Sequence, residues 1–438
     1  MTTSLDTVIY NANIITVDEK FSIIDKGWIG IKDGKIAKLS KMPQDNKLPD
    51  AKKNINASGC IVMPGLINTH THLPMTLFRG IADDLPLEEW LNDHIFPAES
   101  KYLTPDSVRW GTRLACLEMI LSGTTTCCDS YLYENFTAEA VEESGIRAVL
   151  AQGIVDFPVP GVPDPSKNII NAIEYIEKWK NRSQLIFPSV FCHAPYTCGP
   201  ETLKKTKAYA RSQDILFQTH VAETRSERKE SLKKHNLTPV EYLNKLDILD
   251  ENTLLVHAIW VDEKDQDIIK KTRAKISHNP GSNLKLGAGI APIPEYLNKK
   301  ILVGLGTDGC ASNNTLDLFQ EINLAAKIHK GYRLDPTVLD ALTLIRMATI
   351  DGAKILGLDN LTGSLEIGKQ ADIIIIDTRA PHLQPMYNPK SHIVYAVTGG
   401  DVIYSFVDGK CLLNNRNLTT LNLDNILDHF SYSGLSEA

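Results

Sequence analysis

The middle of the chain alternates short apolar runs with stretches of helical periodicity, and this alternation limits the possible folds more than any other feature. Helical periodicity is clear in Ser107–Leu121 and Ile169–Trp179. Eight successive strand–helix units are typical of a closed (β/α)8 TIM barrel of the α/β class. A doubly wound open sheet is the alternative, but no GxGxxG pattern follows an early strand. The predicted strands are Ile61–Asn68, Thr124–Cys128, Ala148–Val155, Leu185–Cys192, Ile215–His220, Thr253–His257, Ala274–Ser277 and Leu302–Gly306.

Both ends of the chain follow another pattern, in which short apolar strands are separated by turns. Asp33-Gly34 is typical of a hairpin turn between two such strands. Neither end has enough strands to bury a sheet face alone, so we expect them to pair. The strands predicted near the C-terminus are Asp372–Asp377, Tyr395–Val397 and Val402–Asp408.

These patterns divide the chain into two predicted domains. Residues 1–60 and 365–438 form a small composite β-sandwich, in which a helix-like tail begins at Leu418. Residues 61–364 are predicted to form the (β/α)8 barrel domain.

Composition excludes several classes of protein. The chain has 438 residues, of which 43% are hydrophobic, enough to bury a sizeable core. Its formal net charge of −7 argues against a protein that binds nucleic-acid backbones. No apolar run reaches the ~18 residues of a membrane span, and no basic region followed by an apolar one begins the chain. The eight cysteines are scattered without a CxxC pair, so we expect reduced thiols and a cytoplasmic location.

Histidines cluster where the predicted barrel strands end. The chain has 12 histidines, and six of them lie at these ends together with Glu223 and Asp308. In a barrel of parallel strands these ends share one face, where such folds carry their active sites. The six histidines are His70, His72, His193, His220, His257 and His278.

Four of these residues form a candidate metal site. His70 and His72 are two positions apart on an extended segment, so their side chains point the same way. With His220 and Asp308 they offer three nitrogens and one carboxylate, which leaves room for a water molecule. Any one of these histidines alone would more simply be a hydrogen-bonded core residue. Together they predict one divalent metal ion per subunit, with Zn²⁺ expected and Fe²⁺ or Mn²⁺ as alternatives.

Glu223 and His257, with Asp308, are the candidate catalytic residues. Glu223 can shuttle protons beside a metal, although a glutamate in the first turn of a helix is also favoured by the helix dipole. His257 can be a ligand of a second metal or a catalytic group. A binuclear site would commonly use a carboxylated lysine at the fourth strand end, and Val190–Pro195 has no lysine. One metal is therefore expected, with His257 polarising the attacking water.

The order of these motifs resembles the amidohydrolase superfamily over nearly the whole chain. The resemblance implies the same barrel, the composite sandwich and the metal ligands already proposed. The segments that carry it are Pro64–His72, Thr219–Glu223, Val256-His257, Ser277–Pro280, Gly306–Gly309 and Gly368–Asp372.

Within that superfamily the chain most resembles the 5′-methylthioadenosine/S-adenosylhomocysteine deaminase group. The resemblance implies hydrolytic deamination of an adenosine-type nucleoside at C6, with Glu223 protonating the purine, Glu99 holding the ribose hydroxyls and His193 contacting the nucleoside. Trp90 either contacts the substrate or packs under its loop. The resemblance also implies a homo-oligomer. The matching segments are His72–Gly80, Asp84–Leu91, Pro97–Glu99, His193–Cys198 and Asn279–Gly287.

One position departs from the group's pattern and bears on the substrate. Members that accept S-adenosylhomocysteine usually have arginines after the third strand, whereas this chain has Gln152 there. The following loop, Phe157–Lys167, contains no arginine, and a glutamine amide cannot replace a bidentate guanidinium. We therefore expect a neutral 5′ substituent, as in 5′-methylthioadenosine, 5′-deoxyadenosine or adenosine.

Three other functions fit parts of the pattern. The same site type could serve a guanine or cytosine deaminase or an s-triazine hydrolase, although Glu99 and His193 favour a nucleoside. A non-catalytic scaffold would have lost metal ligands, and this chain keeps them. A nucleic-acid deaminase would need a PCxxC zinc signature, which is absent.

Overall fold

The computed structural model describes residues 4–432; the last six residues of the predicted tail lie outside this range. The strands are β1 (Leu5–Ile15), β2 (Ile23–Lys32), β3 (Lys35–Lys41), β4 (Ala51–Asn56), β5 (Cys60–Pro64), β6 (Leu66–Thr71), β7 (Thr124–Tyr131), β8 (Arg147–Ile154), β9 (Ile186–Cys192), β10 (Phe217–Val221), β11 (Thr253–His257), β12 (Lys275–His278), β13 (Val303–Leu305), β14 (Ile373–Asp377), β15 (Val402–Val407), β16 (Lys410–Asn414) and β17 (Asn417–Leu418).

The helices alternate with strands through the middle of the chain. Shorter helical turns are π-helical over Trp90–Ile95 and 3₁₀ over Leu73–Phe78, Pro165–Lys167, Pro381–Leu383 and Gly399–Asp401. The α-helices are α1 (Leu87–Glu89), α2 (Phe96–Tyr102), α3 (Pro105–Ser122), α4 (Glu134–Ser144), α5 (Asn168–Trp179), α6 (Pro200–Gln213), α7 (Arg225–His235), α8 (Pro239–Lys245), α9 (Glu263–Thr272), α10 (Pro280–Lys285), α11 (Ile293–Asn298), α12 (Cys310–Asn313), α13 (Leu318–Arg333), α14 (Ala341–Met347), α15 (Ile350–Leu356), α16 (Pro389–Tyr395) and α17 (Leu423–Tyr432).

Strands β6 to β13 form the predicted barrel of eight parallel strands. They are hydrogen-bonded in chain order, and almost every residue on them is buried. Side chains connect the first strand to the last: Asn68 donates to the Thr307 hydroxyl at 2.8 Å, and the Thr307 N–H donates back to Asn68 Oδ1 at 3.1 Å. The barrel is thereby nearly closed, and the C-terminal ends of its strands meet at one face.

The two ends of the chain form a separate sheet, as the sequence predicts. Its strands follow the order β17-β16-β15-β14-β5-β1-β2-β3, and β4 pairs with β1. One face encloses an apolar core drawn from both ends, including Ile9, Ile29, Ile373 and Phe406. The sheet memberships support the proposed division into a barrel domain and a domain made of the two chain ends.

The prediction of one strand over Ile61–Asn68 is wrong, because the segment contains two strands in different sheets. Strand β5 pairs with β1 and β14 in the sheet of the chain ends, whereas β6 begins the barrel. The chain crosses between the sheets at Gly65, where a Cβ atom would lie 2.1 Å from the Thr125 hydroxyl oxygen. Only glycine fits this close approach.

The strand predicted at Tyr395–Val397 is also wrong, because the segment follows a helix. Asn388 caps the N-terminus of α16 by accepting hydrogen bonds from the next two non-proline backbone N–H groups, and Pro389 occupies the first turn. Ile393 and Val394 bury the apolar side of this short helix. Tyr395 is the last residue of this helix, and Ala396 and Val397 follow it outside any strand.

An ion pair joins the barrel to the sheet of the chain ends. Arg147, the first residue of β8, makes two hydrogen bonds with Asp372, at 2.9 and 3.1 Å. Asp372 precedes β14, and its carboxylate also accepts the Asp408 N–H at 2.7 Å. Both charged side chains are buried, so each depends on the other for its solvation.

The described part of the chain has no helix that is long and apolar enough to cross a membrane.

Candidate metal centre and active-site cavity

The structure brings His70, His72, His220 and Asp308 together at the C-terminal end of the barrel. One ligand atom of each lies within 4.8 Å of the others, and all four residues are buried. Nε2 of His70 and Nε2 of His72 each lie 3.3 Å from Asp308 Oδ1. Nε2 of His220 lies 3.2 Å from Nε2 of His70. The four groups thus face one point, as metal ligands do.

The hydrogen bonds of the group leave its ligand atoms available. His72 Nδ1 donates to the Ser130 carbonyl at 2.6 Å, which leaves the Nε2 lone pair directed at the centre. Burial lowers the pKa of His70 to about 4 and that of His220 well below its ordinary value. Neutral imidazoles are the form that binds a metal. The donor set therefore fits a divalent ion with three nitrogen ligands and one oxygen ligand.

Asp308 is held as a carboxylate. Burial alone would raise its pKa, but the hydrogen bond to His70 and the nearby imidazoles outweigh burial and hold the pKa well below its ordinary value. The hydroxyls of Ser282 and Ser312 donate to Oδ2 at 2.6 and 2.9 Å. These bonds fix the orientation of the carboxylate.

Glu223 lies beside this group, and a second glutamate fixes its backbone. Glu227 accepts the N–H groups of Ala222 and Glu223, each at 2.8 Å. Burial raises the pKa of Glu223, and the charge of His257 only partly opposes this effect. A raised pKa increases the protonated fraction of the acid at a given pH, which suits a proton donor.

His257 faces both acidic groups. Its Nε2 lies 3.7 Å from Glu223 Oε1 and 3.9 Å from Asp308 Oδ2. Its Nδ1 donates to Asn283 Oδ1 at 2.8 Å, which sets the ring orientation. Burial lowers the pKa of His257, but the charges of Glu223 and Asp308 outweigh burial and raise it.

The backbone at two of these strand ends is strained. His257 has a φ of +71° and Asp308 a φ of +62°, a region that non-glycine residues rarely adopt. Such strain concentrates at functional sites, where surrounding contacts hold it.

A mostly apolar cavity opens from the metal group and contains the other candidate residues. Glu99, His193 and Trp90 line it. Glu99 accepts a hydrogen bond from the Tyr131 hydroxyl, and burial raises its pKa to about 7. His193 is oriented by a 2.9 Å hydrogen bond between its Nδ1 and the Thr197 hydroxyl.

Two residues singled out by the sequence lie outside this cavity. Gln152 is buried, but its side-chain oxygen accepts the Glu134 N–H at 3.1 Å, and the side chain does not line the cavity. His278 points to His329 on α13, with 3.1 Å between their Nε2 atoms. Neither side chain belongs to the metal group.

Sequence reasoning missed several residues that hold the site in place. Tyr131 ends strand β7, so its position at a strand end is a signal that could have found it. The others occupy loops or first helical turns, where their residue types are common without any function. They are Asn283, Ser282, Ser312 and Glu227.

Comparison with known proteins agrees with this geometry. Residues 61–412 match the model of the amidohydrolase family. The chain belongs to the amidohydrolase family. This match confirms the family resemblance that the sequence motifs indicated.

Curated amidohydrolase relatives cover nearly the whole chain. A 5-methylthioadenosine/S-adenosylhomocysteine deaminase of Syntrophobacter fumaroxidans is 44% identical over 98% of this chain and 97% of its own length. A 5′-deoxyadenosine deaminase of Methanothermobacter thermautotrophicus is 43% identical over 91% of this chain and 92% of its own length.

A solved amidohydrolase structure has the same fold. The crystal structure of an adenosine deaminase from Xanthomonas campestris with bound zinc matches with a TM-score of 0.96 and 30% identity. The match covers 99% of each chain.

Proposed function

We propose that this protein is a metal-dependent aminohydrolase that converts an adenosine-type nucleoside to its inosine analogue and ammonia. The observation that carries the proposal is the placement of Glu223 and His257 against the His70, His72, His220 and Asp308 group, at the inner end of a cavity lined by Glu99. The deaminase names of the full-length relatives support the same reaction.

His70, His72, His220 and Asp308 would hold one divalent ion per subunit. Zinc is the proposed metal, because three imidazoles and a carboxylate suit it and the Xanthomonas relative contains it. Fe²⁺ and Mn²⁺ are the alternatives that elemental analysis of the purified protein separates. When bound, such an ion lowers the pKa of a coordinated water to about 7.

The residues around the ion would move the protons. In the proposed reaction protonated Glu223 donates to purine N1, which makes C6 electrophilic. His257 and Asp308 orient the attacking water and accept one of its protons as the C6–O bond forms. That proton is then delivered to the exocyclic amino group, and the bond between C6 and this group breaks as ammonia leaves. The proton of the new C6 hydroxyl returns to Glu223, which leaves the 6-oxo product with its N1 protonated.

The cavity would hold the nucleoside by its sugar and its base. Glu99 is the proposed acceptor for the ribose hydroxyls, since one carboxylate can accept two hydrogen bonds. His193 is proposed to contact the nucleoside, and the buried Trp90 ring to pack against it. Trp90 Nε1 has no hydrogen-bond partner among the described residues, which leaves it free to donate to a ligand.

A neutral 5′ substituent is the preferred substrate feature. Among the described residues that line the cavity, none is a lysine or an arginine. The lining includes Leu87, Leu91 and Phe157, which suit a methylthio or methyl group. We propose that 5′-methylthioadenosine, 5′-deoxyadenosine and adenosine are better substrates than S-adenosylhomocysteine.

One arginine nearby favours a second candidate substrate. Arg225 lines a neighbouring cavity that shares Leu87 and Phe157 with the first, and it lies over the Trp260 ring at 4.4 Å. A guanidinium here could bind the carboxylate of S-adenosylhomocysteine. Arg225→Met keeps an unbranched apolar stem and removes the charge.

A panel of substrates tests the proposal. We expect ammonia release from the adenosine-type nucleosides and none from guanine, cytosine or an s-triazine. A kcat/KM that is higher for S-adenosylhomocysteine than for the other nucleosides would contradict the preference for a neutral 5′ substituent. If Arg225→Met selectively lost activity on S-adenosylhomocysteine, Arg225 would be the residue that binds the carboxylate of that substrate. Activity only on guanine, cytosine or the triazine would contradict the proposed reaction. Sedimentation analysis checks the proposed homo-oligomer.

A further inference from the structure

Two buried carboxyl groups lie against each other beside the segment that contains His72. Asp129 is on β7, and Glu134 is the first residue of α4. Both residues have no solvent-exposed surface, and their side chains are within hydrogen-bonding contact of each other. Neither lines the cavity, so the proposed reaction does not use them.

Asp129 fixes the segment that contains His72. Its Oδ1 accepts the Thr71 hydroxyl at 2.8 Å and the Leu73 N–H at 2.6 Å, the residues on either side of His72. The next residue of β7, Ser130, accepts the hydrogen bond from the His72 ring. Strand β7 therefore holds this metal ligand at three points.

The remaining oxygens of the two acids require a shared proton. Asp129 Oδ2 and both carboxyl oxygens of Glu134 lack a well-formed hydrogen bond from an N–H or O–H group among the described residues, and Glu134 has only weaker contacts with the Thr137 hydroxyl and the Ala151 N–H. Two ionised carboxylates in contact inside a protein repel strongly, so one of them is protonated. Asp129 already accepts two hydrogen bonds, which favour its ionised form.

We propose that Glu134 is a neutral carboxylic acid whose hydrogen bond to Asp129 holds the Asp129 carboxylate against residues 71–73 and so positions His72. The inference rests on the metal site of the proposed function. Burial raises the pKa of both acids, which agrees with one shared proton, and the two short hydrogen bonds that Asp129 accepts place that proton on Glu134. Both are positioning residues, since they act on the metal through His72.

Zinc affinity of the folded protein, measured by competition with a chelator, tests the inference. Glu134→Gln keeps a donor to Asp129, so we expect its affinity to stay within about threefold of the unmodified protein, well inside the about 10–100-fold that loss of a supporting group costs. Glu134→Met has a similar shape but no donor, and we expect it to lose about 10–100-fold. Asp129→Asn should lose zinc affinity by the same factor, because the amide N–H of the new side chain would face the Glu134 O–H and two donors cannot form a hydrogen bond.

A glutamate on the other side of α4 provides the matched control for the Glu134 variants. Glu143→Gln makes the same change on the outer side of α4, where the carboxylate pairs with Arg113, and it should leave zinc affinity unchanged. Normal affinity in Asp129→Asn together with weak affinity in Glu134→Gln would place the proton on Asp129 and overturn the inference. Thermal unfolding of the metal-free variants separates a general loss of stability from a specific loss of zinc.

Infrared spectroscopy gives a readout that does not depend on activity. The difference spectrum between the unmodified protein and Glu134→Gln should contain the carbonyl stretch of a protonated carboxylic acid. Its absence would overturn the inference. If zinc affinity and this band respond as expected while no nucleoside is deaminated, the proposed function fails and the positioning role stands.

Discussion

Buried polar groups at the two ends of the barrel strands differ in how fully other protein groups pair with them. At the C-terminal ends, burial lowers the pKa of His193 to about 3 and raises that of Glu223. At the N-terminal ends, the buried Lys207 ammonium donates to Asp250 and Thr253, at 2.6 and 2.9 Å. Arg147 is paired with Asp372 in the same way.

Polar groups at the C-terminal ends of the strands therefore suit the proposed reaction, whereas those at the N-terminal ends stabilise the fold. Groups at the N-terminal ends find their partners within the protein, so they contribute to folding. Groups at the C-terminal ends are buried with partners that only partly satisfy them, which keeps them ready for a metal and a substrate. Substitutions at the C-terminal ends should therefore change activity, and substitutions at the N-terminal ends should change the free energy of unfolding.

Glu223→Gln should have the largest effect and should leave the fold intact. The amide cannot donate and accept the proton, so we expect kcat for an adenosine-type substrate to fall about 10²–10⁴-fold. The metal content should stay unchanged, because Glu223 is not a ligand. Glu230→Gln, on the exposed part of α7, is the matched control. Retained activity in Glu223→Gln would contradict the proposed role of Glu223 as the proton donor.

Arg147→Met should give the opposite result at the other end of the barrel. It leaves the Asp372 carboxylate buried without its ion-pair partner, so we expect the free energy of unfolding to fall by about 3–5 kcal/mol. Activity per folded molecule should not change. Arg109→Met breaks a partly exposed pair with Glu139 and should cost about 0–1 kcal/mol. Equal losses of stability in the two variants would contradict the buried pair's importance.

The pH dependence of substrate binding tests Glu99. Because burial raises its pKa to about 7, the ionised form decreases as the pH falls below that value. Only the carboxylate accepts both ribose hydroxyls, so kcat/KM should drop by about tenfold per pH unit below about 7. Glu99→Gln should bind weakly at every pH without this Glu99-dependent drop. The same drop in both proteins would assign the titration to another group.

Much of the fold and of the metal group follows from the sequence because both depend on order along the chain. Strand periodicity marks each barrel strand, and parallel closure then brings residues such as His70 and Asp308 together although they are far apart in sequence. The failures at Gly65 and at Tyr395–Val397 have another origin. Which sheet an apolar run joins, or whether a short run becomes a helix, is decided by tertiary contacts.

The sequence could not predict which side chains form hydrogen bonds with each other, because tertiary contacts decide this as well. Gln152 lies within the predicted strand Ala148–Val155, yet its side-chain oxygen accepts the Glu134 N–H and its side chain does not line the cavity. The contacts between Tyr131 and Glu99 and between Asp129 and Glu134 join residues on different elements. Each depends on how helices and loops pack over the strand ends.

The crossing at Gly65 affects how the protein is made. Strand β5 lies between β1, which precedes it in the chain, and β14, which ends at Asp377. At about 5–20 residues per second, β5 waits roughly 15–60 s before that partner emerges. Until then it presents an open strand edge, the kind of surface on which unfinished chains aggregate. A newly made chain that stops before Ile373 would keep that edge exposed, so a strand synthesised late protects one synthesised early.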